Sequence, residues 1–319
     1  MSVLVGTIVM LGMLVVVPAG LRLVDGPQAA GLRLLARLWP LLALPGAVSL
    51  WLPRSPLAAA LAGCYALATL ALALHAPVRL ALTRSLAPAE VAVLTALGSP
   101  AVAGVALVAE RAGHELFGFE LDILALTVPH FHFAGFAAAL VAGLVCRTAE
   151  GPASRFAALS VPLGTLLVLL GYFVDDWAEL AGALVLTAGM WAVALTTWRE
   201  LRPSAPDPVT RALLGVSAAV LVATMLLALA WAVGEATGLP HPTLTWTAAT
   251  HGLGNALGFA LCSLLAWRRL RAARPGTGTR RPLRTRTADA SATPLTAPVT
   301  PLPTPTTAPS PAHRTELPA

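Results

Sequence analysis

The chain has no lysine and little charge of any kind. Charged residues make up 11% of its 319 positions, hydrophobic residues make up 57%, and the mean hydropathy is +0.76. A water-soluble domain needs more polar surface than this to cover its apolar interior. Every basic side chain is arginine and many follow Trp267, so the basic character belongs to a tail and indicates no nucleic-acid partner. The composition therefore places the chain in lipid.

Cysteine is scarce, and familiar catalytic motifs are missing. Cys64, Cys146 and Cys262 are odd in number, lie in apolar segments and form no CxxC pair. This pattern excludes a disulfide framework and a thiolate zinc site. The sequence also contains no GxSxG, HExxH, P-loop or dinucleotide fingerprint. It therefore assigns the protein to no class of enzyme.

What the chain does contain is a series of long apolar segments rich in Ala, Leu, Val and Gly. Such segments favour α-helices packed through small side chains over the alternating strands of a membrane barrel. Most approach the ~20 residues that cross a hydrocarbon core. They span residues 2–20, 38–52, 57–75, 88–109, 121–146, 155–173, 177–198, 209–234 and 243–267. The predicted fold is all-α, a polytopic transmembrane bundle of about nine helices over residues 1–267.

Residues 268–319 are predicted to form a separate cytoplasmic tail. The segment opens with Arg268, Arg269 and Arg271 and continues as a Pro- and Thr-rich stretch. We expect it to be disordered, because it has too few large apolar side chains to offset its chain entropy. Its basic start suits contact with anionic lipid at the bilayer surface.

Arginine is distributed unevenly among the connections between the apolar segments. Alternate loops contain Arg22, Arg33, Arg37, Arg79, Arg84, Arg147, Arg155, Arg199, Arg202 and Arg211, whereas the other loops contain only Arg54 and Arg111. The positive-inside rule therefore predicts an external N-terminus and a cytoplasmic C-terminus. No basic residue precedes the first segment, which indicates an uncleaved helix. The external loops carry an acidic set that could draw cations toward the bundle, although a solvated rim is the simpler interpretation: Glu110, Glu115, Glu120, Asp122, Asp175, Asp176, Glu179 and Glu235.

Histidines mark the fifth and ninth apolar segments as candidate functional helices. His130 and His132 lie in the fifth, and His251 and Asn255 share one helical stripe of the ninth. Imidazole inside a bilayer is costly unless a partner, a metal or water accompanies it. Both helices enter from the same side, and His130 and His251 each lie ~12–14 Å along them. The two imidazoles are therefore expected at one depth.

Three imidazoles would suit Zn, Cu or haem iron, with His130, His132 and His251 as the metal ligands. Residues i and i+2 of a helix point about 200° apart, so His130 and His132 share one ion only if Pro129 distorts the helix. Interhelical hydrogen bonding by these histidines stays open as an alternative. Asn255 and Thr127 are substrate-binding candidates, and Asn255 equally suits an interhelical contact.

The segments His130-Phe131-His132-Phe133-Ala134-Gly135-Phe136 and His251-Gly252-Leu253-Gly254-Asn255-Ala256-Leu257-Gly258-Phe259 resemble the YndJ-like family of bacterial multi-pass membrane proteins. Gly118-Phe119 adds weaker support. Phe133 stands where that family often has tyrosine, so a hydroxyl common there is missing. The resemblance implies a bacterial plasma membrane and the same histidines, in a family whose members are sometimes labelled transporters.

Three classes of function stay open. The first is an intramembrane histidine site that binds a transition metal, haem or a small polar ligand, and it explains the shared depth of the imidazoles best. The second is a transporter with a midplane His/Asn site, although the odd helix count and the lack of a visible repeat weigh against it. The third is a non-enzymatic assembly or structural factor, which is consistent with the missing catalytic motifs.

Overall fold

The structure, a computed structural model, describes residues 2–273, which are helical and contain no strand. Nine helices of this range are long and apolar enough to cross a membrane, which confirms the predicted fold class and fits an integral, multi-pass membrane protein. In chain order, α1 to α9 span Val3–Leu21, Ala29–Ser49, Pro56–Thr83, Pro88–Ala112, Leu121–Thr148, Pro152–Gly171, Asp176–Leu201, Pro208–Thr237 and Leu244–Ala273. A short 3-10 turn, Leu116–Gly118, precedes α5.

Three helix boundaries differ from the prediction by more than five residues. Helix α3 continues to Thr83 instead of ending near residue 75. Helix α2 begins at Ala29 instead of near residue 38 and contains Pro40 and Pro45, which neighbouring helices can accommodate in a membrane protein. Helix α9 continues to Ala273, past the predicted boundary at residue 267. The rest of the predicted disordered tail, residues 274–319, lies outside the described residues.

Side-chain caps set where several helices begin. The capping side chain accepts a hydrogen bond from the backbone N–H three residues later, which satisfies one of the otherwise unpaired donors of the first turn. The caps of α1, α3, α7, α8 and α9 are Ser2, Ser55, Asp175, Asp207 and Thr243. Because these residues sit at the ends of the apolar runs, the helices match the predicted segments closely.

Helix α5 is the axis of the bundle. Its most apolar stretch is 83% buried, against at most 56% for any other membrane-span candidate among the described residues. It packs on α1, α4, α6 and α9, partly through small residues. Gly135 lies against Ser99 of α4, and Gly20 of α1 lies against the ring of Phe136. The helix that carries His130 and His132 is therefore surrounded by protein.

Proline and π-helical turns distort the helices around this axis. In α5, a π-helical stretch, Phe131–Ala138, follows directly after Pro129. In α1, a π-helical turn precedes Pro18, which has no N–H to donate back along the helix. The carbonyl of Met13 instead accepts a hydrogen bond of 2.8 Å from the indole of Trp39 in α2. The Trp39–Met13 hydrogen bond thus joins α2 to α1 where Pro18 interrupts the backbone hydrogen bonding of α1.

Two charged residues are buried where the sequence indicates solvated loops. Glu110 is completely buried and forms ion pairs with Arg54 and Arg111, so its interpretation as part of a solvated rim is wrong. Arg79 lies within α3 and is only 2% exposed, because its guanidinium donates to the carboxylate of Glu90 and to the carbonyl of Asp25. Both clusters connect helix ends, and a pattern of hydropathy alone does not reveal such pairing.

Candidate functional site

A cavity of about 500 Å³ lies between α1, α5, α6, α7, α8 and α9. Its walls are largely apolar and include Val5, Phe131, Phe133, Leu186, Met225 and Phe259. Its inner end, which we call the base, carries Thr127, His130, His251 and Asn255. Its outer end, which we call the mouth, carries Asp175, Asp176, Glu179 and Glu235. Of these, Asp175, Asp176 and Glu235 are exposed, so the cavity reaches one surface of the bundle.

The imidazole of His251 is held in one tautomer by its neighbour in α8. Its Nδ1 lies 2.8 Å from the carbonyl oxygen of Thr224. A carbonyl only accepts hydrogen bonds, so the neutral ring carries its proton on Nδ1 and keeps a lone pair on Nε2. His251 is therefore positioned in the cavity wall as a hydrogen-bond acceptor.

Asn255 completes this network from the next turn of α9. Its Oδ1 accepts a hydrogen bond of 2.8 Å from the hydroxyl of Thr224. Its Nδ2 lies 3.1 Å from Nε2 and 3.4 Å from Nδ1 of His251. Nearly equal distances to the two ring nitrogens place the amide across the ring and not in line with the Nε2 lone pair. Asn255 thus both joins α8 to α9 and lines the cavity.

His130 reaches the same cavity from α5. It lies ~14 Å along its helix and His251 lies ~10 Å along α9, so the two residues have similar depths. Both rings line the same cavity. The Nε2 atom of His130 is buried and has no hydrogen-bond partner within residues 2–273. An unsatisfied buried nitrogen costs about 1–3 kcal/mol, and that cost disappears when a ligand or water supplies a partner.

His132 lies on the other side of α5 and does not line the cavity. It is completely buried, and its Nε2 lies 2.6 Å from the hydroxyl oxygen of Tyr65 in α3. The structure therefore brings His130 and His251 together but not His132, as the angle between residues i and i+2 requires. The part of the chain that the structure describes contains no group of three or more His, Cys, Asp or Glu residues arranged to hold a metal. Binding of Zn, Cu or haem iron stays a prediction.

Thr127 lies one turn before His130 and also lines the cavity. Its hydroxyl donates a hydrogen bond of 2.9 Å to the carbonyl of Ile123, as membrane-embedded threonines often do. The oxygen keeps lone pairs that a ligand can use. Both residues predicted as substrate contacts, Thr127 and Asn255, therefore line the cavity, and their contact with a substrate stays a prediction.

The mouth contains residues that sequence reasoning did not assign to a site. Tyr172 and Glu179 both line the opening, and partial burial together with the nearby carboxylate of Glu179 raises the pKa of the phenol above its usual range. Glu235 pairs at 3.2 Å with His241, whose ring packs edge-on against Trp231. The sequence signal for the mouth was the clustering of acidic residues in the predicted external loops. It does not say which of them meet at one opening.

The fold and the site define a polytopic helical membrane protein with a cavity embedded among its helices. The chain belongs to the YndJ-like family: the family model described as YndJ-like protein matches residues 7–259 and so includes both histidine helices. This match confirms the resemblance seen in the two motifs. No curated protein and no solved structure matches the chain.

Proposed function

We propose that this protein binds a small amphiphilic molecule within the membrane. The observation that carries the proposal is that imidazoles from two distant segments, His130 of α5 and His251 of α9, line one cavity of about 500 Å³. Cavities of roughly 300–1,000 Å³ with apolar walls and a few polar groups are typical of small-molecule sites. The apolar body of the ligand would pack on the rings of Phe131 and Phe133, and its polar group would contact the base.

The base favours a ligand group that donates a hydrogen bond. The neutral ring of His251 offers a lone pair on Nε2, because its Nδ1 proton is engaged by Thr224. Nε2 of His130 lacks a partner among the described residues, and the hydroxyl oxygen of Thr127 can accept as well. A hydroxyl group at this position can donate to Nε2 of His251, and it can pair with Nε2 of His130 as donor or acceptor.

We further propose that the protein resides in the bacterial plasma membrane with the mouth outside and the Arg-rich tail inside, in contact with anionic lipid. The arginine asymmetry of the loops supports this orientation. A C-terminal reporter that is active only in the cytoplasm tests it. We expect this reporter to be active. Activity of a C-terminal reporter that works only outside the cytoplasm would contradict the proposed orientation.

Transport is a second candidate function, and one feature of the cavity favours it. The cavity reaches exposed carboxylates at one end of the bundle, whereas α5 is packed closed below it, with Phe136 and Leu140 both 0% exposed. A binding site reached from one side only is the arrangement that an alternating-access transporter adopts in one of its states. Uptake of a bound probe into proteoliposomes separates transport from binding alone.

The binding proposal is tested with 4-ethylphenol, a neutral amphiphile with one hydroxyl group. Equilibrium dialysis against the protein in nanodiscs, with empty nanodiscs subtracted, is expected to give saturable binding. Ala248→Phe places a ring in the cavity and should abolish that binding in a folded protein. Ala60→Phe is the matched control, because Ala60 is exposed on α3 and does not line the cavity. Equal loss in both variants, or no saturable binding at all, would overturn the proposal.

A further inference from the structure

The charged side chains that line the cavity, leaving its histidines aside, are all carboxylates. Asp175, Asp176, Glu179 and Glu235 surround the mouth, and none of the cavity-lining residues in the described chain is an arginine. The only basic side chains among the cavity-lining residues of the described chain are the imidazoles of His130 and His251. The potential inside the opening is therefore negative, and low-dielectric walls strengthen such a field.

The mouth carboxylates differ from four acidic groups near other helix ends. Asp25, Glu90, Glu110 and Asp207 each form an ion pair with arginine. The mouth carboxylates take part in none of the arginine ion pairs of residues 2–273. Unlike these four acidic groups, the mouth carboxylates have no fixed counter-charge from arginine.

The protein contacts of the mouth carboxylates only partly compensate them. Asp175 accepts a hydrogen bond of 2.8 Å from the backbone N–H of Ala178, and Glu179 lies near the uncharged phenol of Tyr172. Glu235 lies 3.2 Å from His241, which offsets a charge only when it is protonated. Like charges at one opening repel each other, and a bound cation relieves that repulsion.

The walls between mouth and base also suit a cation with an apolar body. Trp231 lies near the mouth, and Phe131 and Phe133 lie deeper. The faces of aromatic rings attract cationic groups as well as apolar groups. An unpaired buried nitrogen on His130 independently indicates that the base is completed by a molecule from outside the chain.

We infer that the ligand of this cavity is a small organic cation: a protonated amine at the mouth, an apolar body along the walls, and a hydrogen-bond donor at the base. This inference rests on the proposed binding function and adds the charge of the ligand to it. Anions of the same shape are rejected by the mouth carboxylates, because like-charge contacts oppose binding. Neutral molecules of the same shape bind without the electrostatic contribution.

Three probes with the same phenol group separate these possibilities: tyramine as the cation, 4-ethylphenol as the neutral molecule and 3-(4-hydroxyphenyl)propionate as the anion. At low salt we expect tyramine to bind about tenfold more tightly than 4-ethylphenol, and the anion to bind least. The double variant Glu179→Gln with Glu235→Gln should remove that advantage, so that the affinity ratio of tyramine to 4-ethylphenol falls to about one. Glu120→Gln is the matched control, since Glu120 is exposed near the same end of the bundle and does not line the cavity.

The outcomes distinguish this inference from the function on which it rests. Saturable 4-ethylphenol binding that Ala248→Phe abolishes, without any preference for tyramine, would overturn the charge selection and leave the binding function intact. A tyramine preference that survives the double variant would also overturn it, because the selection would then come from other groups. Absence of binding by all three probes would overturn the binding function and the inference together.

Discussion

The hydroxyl oxygen of Tyr65 lies 2.6 Å from Nε2 of His132, and both side chains are completely buried. This contact joins α3 to α5 on the side of α5 away from the cavity. The ring of Tyr65 packs edge-on against Trp39, with ring centroids 5.9 Å apart, so the pair is part of a larger aromatic cluster. The two histidines of the HxH motif therefore have different surroundings. His130 borders the cavity, whereas His132 is an interhelical hydrogen-bonding residue.

Replacing Tyr65 with Phe tests this division of roles. The variant leaves Nε2 of His132 buried without a partner, so we expect a loss of about 1–3 kcal/mol of stability. Binding of 4-ethylphenol to the folded protein should be unchanged, because neither residue lines the cavity. Denaturant unfolding and dialysis on the same nanodisc preparation measure both quantities. Lost binding with undiminished stability would mean that His132 belongs to the site.

Gly12 of α1 should be intolerant of a side chain. A Cβ atom built there would lie 2.5 Å from Nδ1 of His132, and the imidazole is held by Tyr65 and cannot move away freely. Gly12→Ala is expected to cost about 1–3 kcal/mol by overpacking. Gly63→Ala is the matched control, because a Cβ there meets no atom within 4 Å. That control should be neutral or stabilise α3 by up to about 1 kcal/mol. Similar effects at both positions would contradict the packing described here.

Glu110 should be essential for stability. It is completely buried between Arg54 and Arg111, and Arg111 is itself only 3% exposed. Glu110→Gln leaves buried positive charge without its counter-charge, which typically costs about 3–5 kcal/mol. Glu120→Gln removes the same charge from an exposed side chain and should have little effect. A thermal unfolding series compares the two, and equal midpoints would show that the buried pair is not needed.

The contact of Asp207 with α9 should respond to acid. Asp207 caps α8 and lies outside the membrane-spanning segments. Hydrogen bonds from the side chain and backbone of Thr210, with Arg269 nearby, lower the pKa of its carboxyl to about 2. Because the pKa of Asp207 is lower in the folded state than the ordinary value of 3.8, the ionised carboxylate stabilises the fold above pH 3.8. That stabilisation is lost as the pH falls towards 2. Asp207→Ala should therefore lower the thermal midpoint near neutral pH, and the difference from wild type should shrink below pH about 4. A difference independent of pH would contradict the ionised cap.

Metal content tests the remaining prediction about the imidazoles. We expect any Zn, Cu or haem iron that elemental analysis and absorption spectra find in the purified protein to depend on His130 and His251. His251→Ala should remove it, whereas His132→Ala should retain it in the fraction that folds. If His132→Ala alone lost the metal, and His130→Ala and His251→Ala kept it, the metal would lie on the Tyr65 side of α5 and not in the cavity. That result would contradict the prediction.

Much of the fold could be predicted because it depends on local composition. Each apolar run is long enough to span a bilayer, and Ser, Asp or Thr caps mark several helix starts. The similar depths of His130 and His251 follow from the rise per residue of two helices that enter from the same side. These quantities need no knowledge of which helices are neighbours.

The missing parts of the prediction depend on long-range packing. The direction of His132 is set by Tyr65, which lies 67 residues away in the sequence. The burial of Glu110 depends on its pairing with Arg54 of the connection before α3. The lining of the cavity by α1, α6, α7 and α8 likewise depends on which helices are neighbours. No local pattern in the sequence reveals that arrangement. Helix geometry predicts that the two histidines of the i, i+2 pair point apart, but only the three-dimensional arrangement shows which of them borders the cavity.

Cysteine accessibility tests most directly whether His130 and His251 share a cavity that His132 does not reach. Cys64, Cys146 and Cys262 are first replaced by Ala, and each histidine is then changed to Cys in turn. A water-soluble methanethiosulfonate reagent should modify His130→Cys and His251→Cys, 4-ethylphenol should slow both reactions, and His132→Cys should stay unmodified. Modification of His132→Cys as fast as the other two, or inertness of both His130→Cys and His251→Cys, would contradict the account.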